Sequence, residues 1–371
     1  MRKFVLPLIF VLAGTCFVTY SFLDTFVIPK NVRKVNLDNN IDDFFNRQSS
    51  SSQAPVNTNS QPNSDASTPT SSEAPINKIE YYEDLTNEQI EALFTSEVVF
   101  KEREHYSSPN IYIDITTHRD ESDKTTYYVG DIRLKDLKYL KTALAHDTFG
   151  ENVNERTSDM CKRKKGILAI NGDYYGAQEA GYVVRNGTTL RSSKSKMKGG
   201  THPRSNPEDL AIYADGSFEV FNENERNLDE ITAKGAWQVF SFGPGLVEEG
   251  EIAVSQQEEV DVALAGGRNQ RTVIGLIAPL HYCFVATDGR SSESEGFSLY
   301  EMAQIMKDLH CYYAYNLDGG GSSTMYFDDG SGNANGMGHL INKPVQTDSR
   351  GRGTGAIQQR EISDIVYIGE E

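Results

Sequence analysis

Hydrophobic positions in this chain fall into three regimes. Residues 4–23 form a run of 20 without a charge, preceded by Arg2 and Lys3. As a helix rising about 1.5 Å per residue, such a run spans about 30 Å, the thickness of a bilayer's hydrocarbon core. A cleaved leader has a shorter apolar region and a small-x-small site. None follows Leu23, so residues 1–30 read as an uncleaved single-pass anchor with its flanks. Residues 31–78 are the second regime. Within them, 48–76 is almost all Ser, Asn, Pro, Thr, Gln and Ala, without an aromatic, and cannot bury enough surface to fold. A flexible linker is expected there. Basic residues balance on the two sides of the apolar run, and the linker tips the orientation toward a head held outside the cell.

From residue 79 to 371 apolar and aromatic residues recur in short runs. Thr86 caps a predicted helix with Ile90, Leu93 and Phe94 on one face. Strand-like runs occupy 110–116, 126–133, 166–171, 182–185, 210–213, 218–221, 237–242, 271–277, 282–287, 312–316 and 362–368. A second helix is predicted over 298–309, where Leu299, Met302, Ala303, Met306 and Leu309 form a core-facing stripe. This pattern predicts one β-rich head of the mixed α/β (α+β) class with mixed sheets. A weak echo, Cys161…Asn171-Gly-Asp173 and Cys311…Asn316-Leu-Asp318, suggests two related halves that would bring Asp173 near Asp318.

Charge narrows the partners. A net charge of −17 excludes nucleic acid, whose phosphates call for a surplus of Lys and Arg. The basic cluster between Arg191 and Arg204 reads as a solvated loop or as a collar for an anionic substrate. Cys161, Cys283 and Cys311 lack metal-ligand spacing. A Cys161–Cys311 bridge is compatible with their places before two strands, and Cys283 reads as a buried free thiol; the pairing stays open.

Candidate chemistry gathers at strand ends. Leu317-Asp-Gly-Gly-Gly-Ser-Ser323 ends an apolar run on a carboxylate, then places three glycines where each weakens regular structure by about 0.5–1 kcal/mol. A nest of N–H groups at Gly319, Gly320 and Gly321, with the Ser322 and Ser323 hydroxyls beside it, suits an anion. Other clusters supply Asn171 and Asp173, Arg271, Asp288 and Arg290, Asn316, and Arg360. Each alone is an ordinary turn or ion pair. Together, three carboxylates (Asp173, Asp288, Asp318) and three arginines suit cleavage of a phosphate ester, since arginine grips phosphate oxygens in pairs.

The ordered runs AINGDYYG, GYVVRNG, SFGPGLV, RTVIG, TDGR, NLDGGGSSTM, INKP and QREISDIVYIG resemble the phosphodiester glycosidase family, from about Tyr106 to Gly369. The resemblance implies an extracytoplasmic hydrolase that cleaves a sugar-1-phosphodiester in a surface glycan or exopolysaccharide. It implies Asp318 as the essential carboxylate, with Asp288 or Asp173 orienting sugar hydroxyls. Arg271, Arg290 or Arg360 and the glycine N–H groups would hold the phosphate. No cofactor is called for, though a divalent cation held by the three aspartates would make a metal-assisted phosphodiesterase instead. A non-catalytic glycan-binding module, stacking sugars on Tyr174, Tyr175, Tyr312 and Tyr315, is the third reading.

Overall fold

Strand alternation sorts the side chains into one shared core and three outer layers. In Leu168–Asn171, Leu168 and Ile170 face the shared core while Ala169 faces outward; in Asp364–Ile368, Val366 and Ile368 face in while Ile365 and Tyr367 face out. A period of two gives each strand these two faces. The computed structural model describes residues 27–38, 41–51, 81–101, 104–195, 208–255, 267–328, 339–348 and 352–370, with Thr15 and Thr19.

The large sheet has nine strands, in the order Glu251–Ile252, Gly245–Glu248, Tyr313–Asn316, Thr272–Ala278, His281–Thr287, Thr125–Leu134, Ile111–Asp120, His105–Ser107 and Val99–Lys101. A second sheet orders His339–Leu340, Met325–Phe327, Leu168–Asn171, Asp364–Ile368 and Leu140–Leu144. A third orders Thr188–Arg191, Val183–Arg185, Ala236–Phe240, Glu208–Tyr213 and Phe218–Asn222. Every strand pair among the described residues is antiparallel, so the mixture expected of this head lies in strands and helices rather than in strand direction.

One face of each sheet contributes to the shared core, which joins Ile113, Ile274 and Phe284 to Ile170, Val366, Ile212 and Trp237. Two short helices, α1 (Ile41–Ser51), which sets Phe44 into the shared core, and α2 (Asn87–Leu93), precede the sheets in sequence, and three more cover outer faces. The helix α3 (Thr157–Arg163) packs Met160 and Cys161 on the second sheet, and α4 (Leu228–Ala233) packs Leu228 and Ile231 on the third. On the large sheet, α5 (Leu299–Asp308) buries Leu299, Met302, Ala303 and Met306. The capping boxes Thr86/Gln89 and Ser298/Glu301 start α2 and α5 where the sequence places them.

The linker expected over 31–78 starts later than its composition suggests. Lys30–Lys34 pairs with Thr148–Glu151, and α1 sets Phe44 and Phe45 at 5.0 and 4.8 Å from the Trp237 ring. Two adjacent aromatics are enough to dock an otherwise polar helix. Gly187, at φ +69°, leaves the space that Phe44 fills. Residues 52–80 lie outside the described residues, as does the apolar run 4–23 apart from Thr15 and Thr19; among the described residues no helix is long and apolar enough to cross a membrane.

The compatible Cys161–Cys311 bridge is not made. Cys161 is buried on the inner face of α3, its thiol donating to Gly166 O at 3.3 Å, while Cys311 follows α5 on the large sheet and faces Cys283. The two lie in separate cores.

Phe44→Ala should lower stability by about 3 kcal/mol, the usual loss for truncating a buried phenylalanine, in urea unfolding of the full chain. A change below about 0.5 kcal/mol would mean that α1 is a loose appendage.

Candidate active site

The glycine loop is the crossing between two sheets. It leaves the large sheet at Tyr313–Asn316, turns through Gly320–Ser322 and enters the second sheet at Met325–Phe327. Asn171, at the end of a neighbouring second-sheet strand and fully buried, clips it in place. Its Nδ2 donates to Asp318 O at 2.6 Å, and its Oδ1 accepts from Thr272 Oγ1 at 2.8 Å and Thr324 N at 3.1 Å. Asp318 N–H reaches Gly172 O at 3.2 Å. The two strand ends paired in the sequence echo therefore do meet, through backbone.

The glycines do not offer three open donors. Gly320 N–H is spent on Gln270 O at 2.8 Å, and Gly319 N–H faces the Asp318 carboxylate. What the glycines supply is room. A Cβ at Gly320, which sits at φ +61°, would come within 2.5 Å of Arg290 Nη2, and one at Gly321 within 2.7 Å of Arg360 Nη2. Without side chains the loop lets two guanidinium groups lie against it.

Arg290 arrives from the end of His281–Thr287, and Arg360 from the approach to Asp364–Ile368. Arg360 Nη1 donates to Ser322 Oγ and its Nε to Gln346 Oε1, both at 3.3 Å; Gln346 Nε2 ties back to Gly321 O at 2.8 Å. Arg290 Nη1 and Asp318 Oδ2 are sealed from solvent and have no hydrogen-bond partner among the described residues. Buried polar atoms are normally paired, so two unpaired ones of opposite charge beside the same loop mark a place for a ligand. Burial and the facing Arg360 weaken Arg290's hold on its proton, while Asp318 strengthens it. Burial pushes the Asp318 carboxyl up to about 6, against the pull of Ser322, Arg360 and Gly319 N–H. A cavity of 790 Å³ is lined by Arg290 together with Asp288, Glu293, Lys343, Thr354 and Ile357 among others.

Tyr174 completes the cluster. Its backbone is left-handed, at φ +68°, and burial and the Asp318 charge raise its phenol while Arg360 lowers it. Sequence reasoning placed Tyr174 only among four sugar-stacking tyrosines; a positive φ in a bulky residue leaves no mark in the sequence. The other three lie in the packing: Tyr175 stacks on Phe149, Tyr312 packs on Tyr81, and Tyr315 OH donates to Glu208 O. Gln346 also went unnoticed, with no motif to flag it.

Several candidates are engaged by partners away from the glycine loop. Asp173 is fully buried: Oδ1 accepts from Arg185 Nη2 and Oδ2 from Ser241 N, both at 2.8 Å. Arg185 in turn donates Nε to Asp364 Oδ2 at 2.9 Å, and burial, reinforced by Asp173 and opposed by Arg185, pushes Asp364 up. Arg271 is sunk among carbonyls, donating to Phe297 O at 2.9 Å and Gly267 O at 2.8 Å, so it cannot grip phosphate. Asp288 borders the cavity, but its oxygens accept from Lys343 N at 2.6 Å and Tyr128 OH at 3.2 Å, and burial raises its pKa. Asn316 Nδ2 holds Gly243 O at 2.9 Å and the Ser323 carbonyl accepts from Asn342, while Asn316 Oδ1 and Ser323 Oγ are buried without a hydrogen-bond partner among the described residues. The three aspartates thus do not converge on a shared cation, because Asp173 and Asp288 are each occupied elsewhere. No group of three or more His, Cys, Asp and Glu that could hold a metal occurs among the described residues. Arg191 binds the carbonyls of Gly181, Gln178 and Tyr175, and the rest of the basic cluster from 196 to 204 lies outside the described residues.

Comparison with known proteins covers the same ground. The phosphodiester glycosidase family model matches residues 164–368, which include Tyr174, Arg290, Asp318 and Arg360. The chain is 28% identical over 177 residues to the SPbeta prophage-derived uncharacterized protein YomE of Bacillus subtilis (strain 168), covering 47% of this chain and 26% of the relative. It therefore spans about a quarter of that relative's length. The catalytic domain of zebrafish N-acetylglucosamine-1-phosphodiester α-N-acetylglucosaminidase, auto-inhibited by its pro-peptide, shares the fold. Its TM-score is 0.52 at 19% identity, over 79% of this chain and 96% of that domain.

Two substitutions separate site from scaffold. The raised carboxyl means that the folded state holds the Asp318 proton more tightly than the unfolded chain does. That contribution is full below about pH 4 and is lost as pH rises through about 6. Asp318→Asn should therefore be more stable than the parent by about 1–3 kcal/mol at pH 7, with the gap closing near pH 4. Arg185→Met strands two buried carboxylates and should cost about 3–5 kcal/mol. Thermal melts across pH check both.

Proposed function

The chain belongs to the phosphodiester glycosidase family, and from that premise we propose that it hydrolyses a sugar-1-phosphodiester by cleaving the bond between anomeric carbon and phosphate oxygen. The observation that carries this reading is the meeting of one unpartnered carboxylate oxygen, Asp318 Oδ2, with two guanidinium groups on a loop stripped of side chains. Arg290 and Arg360, with Ser322 Oγ, hold the phosphate oxygens and take up the charge that builds as the bond breaks. A phosphomonoester is a good leaving group, so charge neutralisation matters more than a strong acid. Above its pKa of about 6, Asp318 is ionised and acts at the anomeric centre, on the sugar directly or through a water. Water supplies the new sugar hydroxyl, and the phosphomonoester departs. No cofactor enters these steps.

Tyr174, beside the carboxylate, offers a face to the sugar. The name of the zebrafish relative points to an N-acetylglucosamine-1-phosphate linkage as the first substrate to try. In the cell, the substrate is a surface glycan or exopolysaccharide, and the apolar run 4–23 anchors the enzyme with its head outside. Because Lys30–Lys34 and α1 are already part of the head, few residues separate it from that anchor.

The test is product release from a panel of sugar-1-phosphodiesters by the full chain. Asp318→Asn should lower turnover by about 10²–10⁴-fold while remaining folded, and Arg290→Ala should lower kcat as well as raise KM, since it meets charge that builds only as the bond breaks. The parent's rate should climb with pH through about 6, the value of its carboxyl. In ¹⁸O-water the label should appear on the sugar; label on phosphate, or full turnover by Asp318→Asn, would overturn the assignment.

A further inference from the structure

Behind the site, on the α5 face of the large sheet, two thiols lie together. Cys283 Sγ and Cys311 Sγ are 3.4 Å apart, and each residue is 1% exposed. Cys283 belongs to His281–Thr287 and stands directly across from Gly275. Cys311 follows α5, its N–H on Met306 O at 3.1 Å, and drops onto the same spot. A Cβ at Gly275 would come within 2.7 Å of Cys311 Sγ, 2.8 Å of Cys283 Sγ and 2.8 Å of Met306 Cε. Gly275 has ordinary strand geometry, so what its position requires is not a special φ but the space the two sulfurs occupy.

We propose that Cys283 and Cys311 form a disulfide when this protein folds in an oxidising compartment. Two thiols give up two protons and two electrons to an incoming low-molecular-weight or protein disulfide, which leaves as two thiols, and one S–S bond joins the strand of Cys283 to the segment between α5 and Tyr313–Asn316. The sulfurs need to close from 3.4 Å to about 2.05 Å, a movement that the missing side chain at Gly275 leaves open. Neither sulfur is reachable in the folded head, so the exchange takes place during folding, before α5 seats. The closed loop runs over a separation of 28 residues and contains Asp288, Arg290 and α5. Strands leaving the two cysteines end at Asp288–Arg290 and at Asp318, so the bond ties together the two arms of the candidate site from behind. Cys161, in α3 and in a separate core, takes no part.

The test is a peptide map of the full chain. Protein unfolded in reductant is refolded in a glutathione redox buffer, and its monomeric folded fraction is alkylated under denaturing conditions. A map of exported, never-unfolded protein serves as the second reading. The expected result in both is a linked peptide pair carrying Cys283 and Cys311, with Cys16 and Cys161 alkylated. The melting temperature should exceed that of the reduced protein by roughly 5–10 °C, a gap that the double variant Cys283→Ala/Cys311→Ala should lack. Four alkylated cysteines in the folded fraction, or a linkage through Cys161, would overturn the proposal. It does not depend on catalysis: a chain inactive on every phosphodiester but linked in this way would leave it standing.

Discussion

Everything around the candidate site depends on one buried charge cluster, Arg185 held between Asp173 and Asp364. Arg185 comes from the third sheet and Asp364 from the second, so the cluster is the strut that joins them. Gly172 is a glycine for the same reason: a Cβ there would run into the Asp364 carboxylate. With no water available, each charge is tolerable only because the others and the nearby backbone groups satisfy it, including Val239 O and Ser241 N. Such a cluster contributes little net stability compared with an apolar replacement of all its members, but it does not permit sliding. The strand end that presents Asn171 and Gly172 to the glycine loop is thereby held in register.

The site built on that frame works against stability. Among the described residues Asp318 keeps an oxygen unpaired and Arg290 a nitrogen unpaired, and two arginines lie against the same glycine turn. A protein selected for stability alone would pair those atoms. Their persistence is what a pre-organised binding site costs before its ligand arrives. The triple glycine is central here through what it omits, and its N–H groups contribute less than its missing Cβ atoms.

The head also extends further toward the N-terminus than its polar composition indicates. Phe44 and Phe45 cap Trp237, and Arg33 lies over the Phe149 ring at 5.0 Å, behind which Tyr175 stacks. A few aromatic contacts outweigh a window average because docking energy scales with apolar area buried rather than with mean hydropathy.

The sequence alone determined many local matters: the longer strand runs (though not Leu140–Leu144, Gly245–Glu248 or Met325–Phe327), where Thr86 and Ser298 start helices, and that Asp318, its glycines and the Asp288–Arg290 turn lie at strand ends. These follow from short-range chemistry, and ordered motifs carried the family with them. It could not rank the three arginines or the three aspartates. Arg271, Arg290 and Arg360 are alike as residues; only the assembled sheets send one into a nest of carbonyls and two onto the glycine loop. Likewise Asp173 and Asp318 end similar strands, yet one meets Arg185 and the other keeps an oxygen with no hydrogen-bond partner among the described residues. The partners that decide each case lie dozens to hundreds of residues away (Asp364 is 179 residues from Arg185), and no local pattern encodes a contact made across three sheets.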